Sequence, residues 1–196
     1  MMHEPLAGGP ARQGRAFGAL RHRDFRLYWG GSVISQVGGW MQQIAQGWLV
    51  YDLTGSAFMV GLNGLAQSIP FIALSLYAGT VVDRVDRRRL LQLVCWGQLA
   101  LSLILGILIA TGHVQIWHIY LTSALHGLIG AFESPARQAL LPYLVPRGDL
   151  MTAISLNSIQ RKGSQVLGPA LGGVFIASFG VAGAYFIRAG FFLASV

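Results

Sequence analysis

The sequence predicts an all-α membrane protein, a bundle of six spanning helices. Three observations carry that reading. Of 196 residues, 54% are apolar and only 11% are charged, whereas a soluble domain carries roughly 25% charged residues. Uncharged apolar stretches recur along the chain, most of them near the length of about 20 residues that crosses a bilayer. The basic residues gather in alternate connectors, as they do in multi-pass proteins. This composition argues against a cytosolic enzyme and more strongly against a disordered chain. Cys95 is the single cysteine, which excludes an internal disulfide framework and a cysteine-built zinc site.

Residues 1–26 carry Glu4, Asp24 and five arginines, with no long apolar run. They read as a short cytoplasmic segment and not as a signal peptide, with 16–26 as a short amphipathic stretch along the membrane surface. Residues 27–196 read as the six-helix transmembrane unit. The first span covers 27–51 and ends at the polar turn Asp52-Leu53-Thr54-Gly55. The second, 56–82, contains Pro70, which a spanning helix tolerates because neighbouring helices satisfy the freed carbonyl. Spans at 90–110 and 116–132 follow, the latter leading into a connector that contains Pro135. A fifth helix is expected from Asp149, a suitable N-cap, to Phe179. A sixth apolar stretch starts near Val181, is interrupted by Arg188 and is still apolar at Val196. At 1.5 Å per residue it covers about 24 Å, short of the roughly 30 Å hydrocarbon core, so the helix is expected to be cut off.

Charge placement gives orientation. Eleven arginines lie before the first span, between the second and third, and between the fourth and fifth; the turns at 52–55 and 111–115 contain no Lys or Arg. The amino end and the arginine-bearing connectors are therefore expected in the cytoplasm. The same asymmetry accounts for the net charge of +7 without nucleic acid.

The densest cluster reads Gly79-Thr80-Val81-Val82-Asp83-Arg84-Val85-Asp86-Arg87-Arg88-Arg89-Leu90. It resembles the G-x-x-x-D-R-x-G-R-R/K signature of the major facilitator superfamily, in the loop where that family carries it, with Asp86 in place of the second glycine. The resemblance implies a conformational-switch loop made by Gly79, Asp83, Arg84, Arg87 and Arg88, which locks one state by bridging to the other half of the transporter. In the fifth helix Ser164, Gly168, Pro169, Gly172 and Gly173 resemble the G-x-x-x-G-P-x-x-G-G element of the antiporter branches, with Ser164 replacing the leading glycine. A generic small-residue packing seam would show the same spacing. Phe25-Arg26-Leu27-Tyr28-Trp29, Tyr51-Asp52-Leu53-Thr54-Gly55-Ser56 and Pro135-Ala136-Arg137-Gln138-Ala139-Leu140-Leu141-Pro142 are similar to the enterobactin-exporter-like efflux group.

The resemblance implies the amino-terminal half of a twelve-helix fold in the bacterial inner membrane. It also implies export of a small organic molecule, drug-like or a siderophore, by proton antiport. The alternative is a truncated, transport-inactive half or a membrane scaffold subunit, with the carboxy-terminal half a separate partner if it is made at all. The arginine that proton antiporters often carry four residues before a fourth-helix glycine is Ser123 here, before Gly127, so that coupling device does not carry over.

Polar residues within the spans mark the candidate site. Gln36, Gly39, Gln43 and Gln46 share one broad face of the first helix, and Asn63 aligns with Gln67 on the second. Amides in hydrocarbon must be paired or face water. These residues therefore turn inward, either lining a substrate pathway or bonding helix to helix. His126 and Glu133 on the fourth helix are candidate proton-coupling groups, His126 by its ordinary titration range and Glu133 if burial favours its acid form. Arg161 and Lys162 either snorkel to the headgroups or bind an anion, and Arg188 lies deeper. The tryptophans near span ends read as interfacial anchors. No Ser-His-Asp arrangement, metal-ligand spacing or Walker-type phosphate loop appears. The sequence thus gives no support for catalysis, a cofactor or an ATP-driven mechanism.

Overall fold

The computed structural model describes residues 18–82 and 84–195, with side chains described through Phe191. Every regular element among these residues is helical. A 3-10 turn at Gly18–Arg21 leads into α1 (Arg23–Thr54). Then come α2 (Ala57–Val82), α3 (Arg87–Ala110) and α4 (Ile116–Leu144), and a second 3-10 turn at Arg147–Asp149 opens α5 (Leu150–Ser195).

α5 is two helices joined without a loop. Gly180 sits at φ 69° and ψ 178°, a conformation costly for any residue with a side chain. Its neighbours show that the chain reverses there. Before the break, the Trp29 indole donates to Leu156 O, Trp40 lies against Gly168 and Met41 against Gly172, so 150–179 run parallel to α1. After it, Tyr185 lies against Gly106 and Arg188 reaches back to Gln98, so 181–195 run antiparallel to α3. Six helical segments therefore build the described bundle, and the fifth and sixth part where the sequence predicts.

α1 packs along the first arm of α5, α2 along α4, and α3 against both α4 and α5. The main apolar core gathers Ala45, Leu49, Leu105, Ile119 and Tyr185. By length and composition α2, α3 and the stretch Arg147–Phe191 can each cross a membrane. α1 and α4 exceed α3 in length, with 32 and 29 residues against 24, yet fall outside that set. The physical reason is their inward faces. Gln42, Gln46, Thr122, Ser123 and His126 are buried between helices, so these two are too polar to be recognised by hydropathy alone.

One local expectation changes. α4 does not stop at Phe132 but continues through Pro135 and Pro142 to Leu144. The extension is held by burial of Ala136 and Leu141 and by the Glu133–Arg137 pair one turn apart. The described start of the chain docks on the bundle. Ala19 is fully buried and packs with Phe25, Leu141, Val145 and Leu156, docking the 3-10 turn onto α4 and α5. Asp149, the residue immediately before α5, sits 3.0 Å from His22 Nε2 and fastens that docking.

Candidate functional site

The polar residues of α1 meet those of α2, α3 and α4 in the middle of the bundle. Gln46 Nε2 donates to Ser123 Oγ at 2.6 Å and to Ile119 O at 3.4 Å; Ser123 Oγ in turn donates to Asn63 Oδ1 at 2.5 Å. One turn away on α1, Gln42 accepts from Ser102 Oγ at 3.1 Å, and its nitrogen donates to His126 Nε2 at 3.0 Å. In this orientation of the amide, His126 Nε2 carries no proton.

A second chain of bonds runs across the bundle. Arg188 Nη2 donates to Gln98 Oε1 at 2.6 Å, Gln98 Nε2 to Glu133 Oε2 at 2.6 Å, and Arg137 Nε to Glu133 Oε1 at 2.8 Å. Arg137 Nη1 closes the chain on Ser32 Oγ at 3.0 Å. Both ionised groups of the pair are mostly buried, with side-chain exposures of 15% for Arg137 and 21% for Glu133. Such a pair is tolerable in a low-dielectric interior because added hydrogen bonds satisfy the atoms the pair leaves over.

These groups border a cavity of about 630 Å³. Gln36, Gln43, Gln46 and Gln67 line it, as do His126 and Glu133. Asn63 does not border it and lies buried against Ser123. Gln42, Gln98, Arg137 and Gln165 also line the cavity and were not singled out from the sequence. A signal for two of them was there: Gln42 stands one helical turn before Gln46, and Arg137 stands one turn after Glu133.

The fifth-helix element serves close approach. An added Cβ at Gly168 would overlap Trp40 and press on Val37 O at 3.1 Å, and one at Gly172 would stand 3.2 Å from Met41 Cα. Ser164, one turn earlier, is buried, whereas Gly173 faces open space. Pro169 is half-buried and carried within the helix. The seam thus lets α5 lie directly on the α1 backbone.

Asp83 lies outside the described residues. Gly79 is half-buried, and a Cβ there would meet nothing within 4 Å, so close packing does not account for that glycine. Arg84 and Arg88 are exposed, while Arg87 lies over the Tyr143 ring at 4.9 Å. Asp86, the departure from the signature, is the N-cap of α3. Its Oδ1 accepts from Arg88 N at 2.9 Å and Arg89 N at 3.4 Å. A side-chain cap here starts α3 in place of a glycine turn.

Helices long and apolar enough to cross a membrane, gathered around an amide-lined cavity, define a multi-pass membrane protein. The chain matches over residues 14–196 the family of major facilitator proteins described as transmembrane secretion effectors, and belongs to it. It is 28% identical over 155 residues to a staphyloferrin A transporter of Staphylococcus aureus, covering 79% of this chain and 39% of that protein. It is 30% identical over 165 residues to the uncharacterized transporter YfiS of Bacillus subtilis, covering 83% and 38%. A macrolide efflux protein A of Streptococcus pyogenes is 24% identical over 147 residues, covering 75% and 36%. The chain therefore spans about two fifths of the length of the curated relatives it matches. No solved structure gives a significant match.

Proposed function

We propose that these residues form the amino-terminal six-helix half of a twelve-helix exporter, which moves a small organic molecule out of a bacterial cell in exchange for protons. The observation that carries this reading is the cavity of about 630 Å³, bordered by Gln36, Gln43, Gln46 and Gln67 within otherwise apolar helices. Polar groups at membrane depth are costly and are kept where they face a polar passenger or water. Relatives named for staphyloferrin A transport and for macrolide efflux support a small organic cargo, drug-like or a siderophore. The arginines of residues 12–26 and of the 84–89 cluster support a cytoplasmic amino end in the inner membrane.

In this reading the substrate sits between two halves that rock about it. Asp83, Arg84, Arg87 and Arg88 latch the loop against the second half in one state. Gly168 and Gly172, with Ser164 one turn before them, keep α5 seated on α1 as the half moves. Glu133 is the group through which a proton acts, with His126 two turns away on the same helix. Protonating Glu133 removes the charge that holds Arg137 and weakens the bond from Gln98, and Gln98 in turn holds Arg188. One proton thereby loosens four helical segments at once.

The test is uptake into liposomes carrying an imposed pH gradient, with a panel of labelled organic acids, amines and neutral drugs. The chain is reconstituted alone and together with the carboxy-terminal six helices of a relative. Gradient-driven uptake is expected only for the pair, and it is expected to be lost in Glu133→Gln and in Asp83→Asn. Uptake that survives collapse of the gradient, or that both variants retain in full, would refute proton exchange through this hub.

A further inference from the structure

The charges around the cavity do not balance. Arg137, Arg161 and Arg188 line it against one carboxylate, Glu133, with no lysine or aspartate. Glu133 is already committed on both oxygens, to Arg137 and to Gln98. Arg188 is buried within that same chain of bonds. Arg161 is not part of it. It is exposed, and among the described residues it makes no ion pair or hydrogen bond. It stands eleven residues past the start of α5, about 16 Å along the helix.

A second pocket of about 480 Å³ adjoins the first. Arg161 and Asn157 border both pockets, and Lys162 borders the second. Pro142 and Leu150 also line it, which places it toward the end of the bundle that carries the 84–89 loop, since Arg87 lies over Tyr143 there. A small molecule passing from that end to the cavity meets two cations at the junction. Inside the cavity, Gln43 and Gln165 add amide N–H donors. Uncompensated positive charge on an exposed wall attracts an anion and repels a cation, and added salt screens the effect.

We propose that the cavity takes an organic anion, a small molecule bearing a carboxylate or similar oxyanion, and that Arg161 is the residue that selects for its charge. The proposal rests on the cavity being the substrate's compartment, so the test separates the two. The chain is placed in phosphatidylcholine nanodiscs and titrated with three dansyl probes of similar size: dansylglycine as the anion, dansylamide as the neutral form and dansylcadaverine as the cation. Empty nanodiscs give the baseline. Dansylglycine is expected to bind about tenfold more tightly than the other two, the difference one charged hydrogen bond makes. Arg161→Gln should abolish that preference while leaving dansylamide unchanged, and Arg161→Lys should keep most of it. Raising ionic strength should reduce the preference in the unaltered chain, a readout that needs no variant.

Gly39 lines the cavity with open space around it, so Gly39→Trp fills the compartment. Loss of all three probes in that variant, with no preference for the anion in the unaltered chain, would overturn the charge selection and leave the compartment standing. Binding that Gly39→Trp does not touch would overturn the compartment itself. Equal binding of the three probes, binding of none, or an anion preference unaffected by Arg161→Gln would each overturn the proposal. Displacement of dansylglycine by phosphatidylglycerol in the nanodisc would assign the site to a lipid headgroup and overturn it as well.

Discussion

Two interhelical regions of this bundle are held by opposite means. Where α5 lies on α1, and where α4 meets α2 at Gly127, contact depends on side chains that are missing: a Cβ at Gly127 would overlap Gln67 O, and one at Gly168 would overlap Trp40. Where α1, α3, α4 and the returning arm of α5 meet, contact depends on side chains that are present and bonded, from Ser32 through Arg137, Glu133 and Gln98 to Arg188. The first kind of seam tolerates no added volume but is indifferent to charge. The second tolerates little change in chemistry. In a membrane, where apolar burial does not distinguish helix from lipid, these are the two available ways to specify a neighbour.

The comparison breaks first at the glycines. Gly127→Val is expected to unseat α2 from α4 at a cost of more than about 3 kcal/mol, because the clash is with backbone that cannot step aside. Size-exclusion profiles after graded heating would register it as loss of the monodisperse chain; a normal profile would mean the helices separate freely there. Glu133→Gln comes next, at about 2 kcal/mol, since it keeps a partner for Gln98 but removes the counter-charge of a mostly buried arginine. A double-mutant cycle with Arg137→Met should return a coupling energy near that value, and additive effects would reduce the pair to a coincidence of position. Gln46→Leu should cost about 1 kcal/mol, the worth of its bond to Ser123, measured by the same unfolding assay. Gly173→Ala, a glycine in the same element as Gly168 but facing open space, should be neutral or stabilising by up to about 1 kcal/mol through helix propensity. A loss there equal to that at Gly127 would erase the distinction between packed and free glycines.

Much of this arrangement was legible in the chain, and the legible parts share a cause. The break at Gly180 follows from a glycine between two apolar runs. The inward turn of Gln36, Gln43 and Gln46 follows from the cost of an amide in lipid, which depends on no partner. The partners were another matter. Nothing near Gln98 in sequence announces that it bridges Glu133 to Arg188, because those groups are 35 and 90 residues away. The run of α4 through Pro135 was hidden for the same reason. Proline's local effect argues for a stop, and what overrides it is burial of Ala136 and Leu141 against other helices. Asp86 lies between these cases: the sequence shows it only as a departure from a family pattern, while the structure makes it the cap that starts α3 before the expected residue 90.

The reversal at Gly180 also fixes a depth. A single residue of non-helical backbone leaves no slack between the two arms of α5, so the height at which the first arm seats on α1 sets the height of the second. The level at which Arg188 meets Gln98 of α3 is thereby decided on the far side of the turn, where Gly168 and Gly172 lie on Trp40 and Met41.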